Sequence, residues 1–71
     1  MRVMVNGERI LEIVSATREG NMIRLFNDNC IITCKFYDEN AAFDHFCRLF
    51  ETGKMSLLID DDSDNITIEE R

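Results

Sequence analysis

Between residues 30 and 50 the spacing of apolar positions switches from two to a mixture of three and four. Cys30, Ile32, Cys34 and Phe36 occupy one side of an alternating run, with Ile31, Thr33, Lys35 and Tyr37 on the other. Period two is that of a half-buried strand, so residues 30 to 37 are expected to form one, with the first set toward the core. Further on, at about 100° per residue, Ala42, Phe43, Phe46, Cys47, Leu49 and Phe50 share one wide stripe. Asp44, His45, Arg48 and Glu51 fall opposite. Asp38 is a good N-cap, Glu39 and Asp44 sit toward the positive end of the helix dipole, and Gly53 suits the C′ position. These signals predict a helix over about 39–52. Its stripe matches the alternating face in size, so the helix is expected to lie across the sheet there.

Earlier in the chain, Asn6-Gly7 separates two apolar, β-branched runs, the strongest short-range hairpin signal. Strands are expected at about Arg2–Val5 and Glu8–Ala16. The second does not alternate: Ile10, Leu11, Ile13 and Val14 put apolar side chains on both faces. A bulge, or a strand covered on both sides, explains that pattern. Residues 17 to 21 read as a turn with Gly20-Asn21 at its tip, Met22–Phe26 as a third strand, and residues 27 to 29 as another tight turn. Beyond the helix, residues 55 to 60 are strand-like. Residues 65 to 70 alternate weakly through Ile66 and Ile68, as an edge strand or a frayed end would. The expected fold is a single α+β domain over residues 1 to 59: a mainly antiparallel β-meander of four to five strands with one amphipathic helix on one face. An acidic C-terminal segment follows at residues 60 to 71.

One helix covers one sheet face. The other face is expected to expose some of Leu11, Ile13, Val14, Ile23, Leu25 and Ile31, a patch of the size that marks an interface. A two-fold homodimer is the default arrangement for such a surface.

The composition fits a small globular domain: 71 residues, 45% hydrophobic and 31% charged. A chain this short buries only about 60% of its unfolded surface, so it needs a good core, a staple or a partner. There is no signal-peptide pattern and no apolar run long enough to span a bilayer, so a cytoplasmic protein without a membrane contact is expected. The net charge of −6 is unevenly spread. Residues 60 to 71 hold six acids and one base, net −5; the other 59 residues hold eight acids and seven bases, net −1. A nearly neutral body offers no basic footprint for nucleic acid, and none is expected to bind directly.

The acidic stretch "IDDDSDN" admits three readings. Asp60, Asp62 and Asp64 match positions one, three and five of a calcium loop. Position six, which needs Gly, is Asn65, however, and position twelve, which needs Glu, is Arg71. A mimic of nucleic-acid phosphates would want its carboxylates spaced on a rigid surface, whereas Asp60, Asp61, Asp62 and Asp64 are bunched. The leading reading is solvated charge that keeps a small domain soluble.

Little else suggests chemistry. Cys30, Cys34 and Cys47 are an odd set for a disulfide framework, and the first two would lie roughly 13 Å apart along one strand. They read as small core residues in a reducing compartment. His45 is the only histidine and points away from Cys47 on the helix, so neither a metal site nor a nucleophile–base pair is expected. Gly7, Gly20 and Gly53 are isolated, so no phosphate loop is present. Arg2, Arg9, Arg18 and Arg24 could gather on the hairpin surface, with only Phe26 and Tyr37 to stack a base. No enzyme and no cofactor are expected.

The stretch "ITCKFYDENAAFDHFCRLFETG", about residues 31 to 53, resembles a pattern found in small bacterial, phage and mobile-element proteins. In these a strand ends in an aromatic, an acidic cap follows, and a short Ala/Phe/Leu helix packs back. The resemblance implies a β-meander with one helix, and proteins of this kind are often non-enzymatic and often dimeric. Some phage-encoded members of this kind inhibit host defence, as anti-CRISPR proteins do. The pattern is structural, and no functional residue carries over. The expected function is a protein-binding module, an accessory or inhibitor of a host protein acting as a homodimer. The alternative is an acidic mimic or regulator of a nucleic-acid-binding protein.

Overall fold

The computed structural model describes residues 1–59 and 65–70. The acidic cluster Asp60, Asp61, Asp62 and Asp64 therefore lies outside the described residues. The first hairpin forms where Asn6-Gly7 required it. Strands β1 (Arg2–Val5) and β2 (Arg9–Glu12) pair antiparallel. Asn6 and Gly7 both have positive φ, 54° and 69°, and the Glu8 N–H donates to the Val5 carbonyl. Two consecutive positive φ values are what a type I′ turn demands. The Asn6 side chain also accepts from the Ile59 N–H at 2.8 Å, tying this turn to the far end of the chain.

The long second segment is two strands, not one. After β2 the chain continues into β3 (Ser15–Glu19), but it changes sheets in between. The Ile13 N–H donates to the Met1 carbonyl, in the first sheet; the Val14 N–H donates to the Phe26 carbonyl, in the second. Ser15 is registered opposite that same Phe26, so two residues oppose one, which is a β-bulge. The corner accounts for the missing alternation: Ile13 is buried, while its neighbour Val14 points out. The following turn is correspondingly shorter than expected. Thr17, Arg18 and Glu19 belong to β3, and only Gly20-Asn21 remain to reverse the chain.

Strands β4 (Met22–Phe26) and β5 (Cys30–Lys35) follow, joined by a turn in which the Asn27 side chain accepts from the Asn29 and Cys30 N–H groups. Helix α1 spans Glu39–Thr52. Asp38 caps it by accepting from the Ala41 N–H at 2.8 Å, and Gly53 ends it in the left-handed conformation, its N–H donating to the Leu49 carbonyl. Strand β6 (Lys54–Leu57) then lies parallel to β1, and β7 (Ile66–Glu70) pairs antiparallel with β5. Of the two expectations for residues 65 to 70, the edge strand is the one realised.

Among the described residues, seven strands thus form two sheets, in orders β2-β1-β6 and β3-β4-β5-β7, with one helix. The fold is α+β, as the periodicities require, although four to five strands were expected. The additional strands come from the corner, which divides one expected strand in two, and from β7; β6 forms at the strand-like run after the helix, and its parallel pairing with β1 joins residues some fifty positions apart in sequence. Their inner faces meet in a core of Val3, Val5, Ile13, Ile23, Leu25, Cys30, Ile32, Cys34, Ala42, Leu49, Met55 and Leu57. The alternating set behaves as expected for Cys30, Ile32 and Cys34, all buried; Phe36, beyond the end of β5, is half-buried.

Candidate interaction surface

Helix α1 contacts β6, β4 and β3, and its period divides its surface into unlike parts. Ala42 and Leu49 face inward and are fully buried. One flank turns toward the β5 side of the sheet. There His45 stacks on Phe36 with ring centroids 4.7 Å apart, above a cleft of about 280 Å3 lined by His45, Arg48, Thr52, Lys54, Met55 and Ser56. The other flank turns toward β3 and carries Phe43, Phe46, Cys47 and Phe50. Phe43 is 52% exposed and Phe50 57%, while Phe46 and Cys47 are half-buried. Phe46 and Phe50 meet edge to face at 4.8 Å. The guanidinium of Arg18 lies 5.4 Å above the Phe43 ring and donates to the Gly20 carbonyl, so β3 and the helix flank form one continuous surface.

The wide stripe expected of this helix is therefore only partly core. Periodicity placed Phe43 and Phe50 beside Leu49, but on this flank the helix lies toward β3, the edge strand of its sheet, and both rings stay more than half exposed. The helix thereby leaves two large aromatic side chains in solvent.

The apolar residues expected on an open sheet face are not gathered on one. Ile13, Ile23 and Leu25 are core residues. Ile23 is registered across from Cys34, and Leu25 from Ile32, so they share the buried face under the helix. Leu11 is half-buried and packs on the core. Ile31 lies on the outer face, half-buried in a row with Ser15, Phe26 and Glu69. The rest of that outer face is largely polar, with Thr17, Arg24, Thr33 and Thr67 forming the next row. Nor do the four arginines converge. Arg2 pairs with Glu12 at 3.1 Å on the outside of the first sheet, Arg9 reaches Glu70 at 3.9 Å, Arg18 turns to the helix, and Arg24 faces outward from the second sheet.

The cysteines are free thiols. Burial pushes the Cys34 thiol up to about 11 from the usual 9, which removes it as a nucleophile at neutral pH. Among the described residues, no three His, Cys, Asp or Glu side chains stand close enough to hold a metal ion. Among the same residues, no helix is long and apolar enough to cross a membrane.

Sequence reasoning identified the residues of the aromatic flank but assigned them to the core. The signal that could have separated them is the count of apolar helix positions. Six residues make a wider stripe than one helix can bury on a small sheet. Compared with protein-family models, curated proteins and solved structures, the chain matches none. What defines the protein is accordingly its own geometry: a two-sheet α+β domain with an aromatic helix flank open to solvent.

Proposed function

We propose that the protein is a non-enzymatic protein-binding module that self-associates as a homodimer. In this reading it serves as a small cytoplasmic accessory or inhibitor of a host protein, of the kind carried by phages and mobile elements. The observation that supports this reading is the exposure of Phe43 and Phe50 beside Phe46 and Arg18. Aromatic and arginine side chains are the residues that most often anchor protein interfaces. Two half-exposed phenylalanines on one helix flank carry apolar area that contact with another protein would remove from water. Three free thiols, two of them buried, fit a reducing compartment.

The test is light scattering on the native chain and on a Phe43→Ser/Phe50→Ser variant. The native protein is expected at about twice the 8.3 kDa of one chain, and the variant at that single-chain mass with an unchanged circular-dichroism spectrum. A native protein that scatters as a single chain at high micromolar concentration would refute the homodimer.

A further inference from the structure

The strands that end the two sheets differ in what their outer edges offer. The Phe36 N–H donates to the Asn21 carbonyl and the Asn27 N–H to the Cys30 carbonyl, so the odd-numbered residues of β4 turn their backbone groups toward β5. Met22, Arg24 and Phe26 therefore bond to Glu19, Thr17 and Ser15 of β3. By the same alternation, the N–H and carbonyl groups of Ala16 and Arg18 point away from the sheet. Among the described residues they form an open edge, of the kind that accepts another strand.

The other three edges are less inviting. On β6, the Lys54 N–H donates to the Thr52 hydroxyl, which itself lies within bonding distance of the Lys54 carbonyl, so a side chain already occupies the first part of that edge. Beside β2 stands the Asn27–Asn29 turn, which shares a cleft with Ile10, Leu11, Glu12 and Val14. Strand β7 closes on Glu69 and Glu70, and its isoleucines are half-buried. Among the described residues, β3 is the edge strand that runs beside the exposed aromatic flank of α1.

We propose that two copies of this chain pair edge to edge through β3, antiparallel about a two-fold axis at Thr17. The inference rests on the self-associating reading above and names the surface and register that carry it. In this register Ala16 of each copy faces Arg18 of the other, Ser15 faces Glu19, and the two Thr17 residues face each other. No acid opposes an acid, even though each chain carries a net charge of −6. Two polar backbone edges become paired, and the two four-stranded sheets continue as one. The helices, each lying over β4, would stand about three strand spacings apart, on the order of 14 Å. Bare helices pack about 8–10 Å apart. Phe43, Phe46 and Phe50 from both copies are the side chains available to fill the difference. The exposed flank and the open edge thus call for the same occupant.

The experiment is a cross-linking pair in a Cys47→Ser background, which leaves Cys30 and Cys34 buried. At a two-fold axis Thr17 forms a non-hydrogen-bonded pair, with Cα atoms about 4.5 Å apart, a separation that a disulfide can bridge. Under mild oxidation Thr17→Cys is expected to give mostly covalent dimer, and Thr67→Cys, on the outer face near the opposite edge, to remain single-chain. Ala16→Pro, which removes one outward N–H without touching a bond to β4, is expected to weaken self-association at least tenfold with an unchanged circular-dichroism spectrum. If Ala16→Pro does not fold, the cross-linking pair decides. If the native chain scatters as a dimer, depends on Phe43 and Phe50, and Thr17→Cys does not cross-link, edge pairing is overturned while the binding-module reading stands. If the native chain is monomeric and Thr17→Cys does not cross-link, edge pairing and the homodimer both fail.

Discussion

The two flanks of helix α1 are built from the same heptad-scale spacing and meet different fates. On the β5 side, His45 covers Phe36, and the aromatic ring is matched within the chain at 4.7 Å. On the β3 side, Arg18 lies over Phe43 and Phe46 meets Phe50, and both Phe43 and Phe50 remain more than half exposed. The difference is one of what stands beside each flank: Phe36, just past β5, and residues of β6 adjoin the first, whereas the second lies toward β3, the edge strand of its sheet. An apolar residue on a helix is therefore core only if the sheet runs beneath it. Where the sheet stops, the same residue becomes surface available to a partner.

The largest expected effect sharpens the contrast between helix core and helix flank. Leu49→Ala, which empties a fully buried site, is expected to destabilise the fold by about 2–5 kcal/mol in urea unfolding. Phe50→Ala, one position along, is expected to cost under half as much. Equal losses would mean that the flank is core and that the comparison is mistaken.

A pH series probes the core beneath the helix. The folded state holds the Cys34 thiol neutral up to about 11, while the unfolded chain ionises it near 9. Between those values the unfolded state binds fewer protons, so stability is present in full below pH 9 and falls as pH rises toward 11. Cys34→Ser is expected to flatten that part of a stability-against-pH curve. In native labelling with a thiol reagent, Cys47 is expected to react well before Cys30 and Cys34.

Asp38→Ala removes the acceptor of the Ala41 N–H and is expected to cost about 1 kcal/mol, read by thermal melting. The smallest effects fall on the two flanks themselves. His45→Ala, which unstacks Phe36, is expected to cost about 0.5–1.5 kcal/mol. Phe43→Ser is expected to change the stability of the single chain by no more than about 0.5 kcal/mol, with its main effect on self-association. If Phe43→Ser proves the more destabilising of the two, the assignment of the flanks is reversed.

Local chemistry made much of the fold legible. Asn6-Gly7 names its own turn because few residues accept two positive φ values in succession. Asp38 and Gly53 bracket the helix because each satisfies an orphaned backbone group. Alternation in residues 30 to 34 identifies the buried side of β5 because neighbouring side chains on a strand point oppositely. These signals act within a few residues, and each can be read in the chain without knowing what lies across the core. The failure to alternate in residues 8 to 16 was legible too, as a bulge or a doubly covered strand.

The interaction surface was less so. Assigning Leu11, Ile13, Ile23, Leu25 and Ile31 to an open face required knowing which face of each strand looks inward, and that depends on what each strand pairs with: β1 for Leu11, Met1 for Ile13, and the β4–β5 register for the other three. Which sheet receives each half of the bulged segment was decided by Met1 and Phe26, residues about a dozen positions away on either side. The parallel pairing of β1 with β6 leaves no periodic trace, because hydrogen bonds between backbones separated by fifty residues do not depend on side-chain order. By itself the sequence determined which residues are apolar and how each turns within its own element. Whether Phe43 and Phe50 would be covered was settled only in three dimensions, because burial is a property of what packs opposite a side chain.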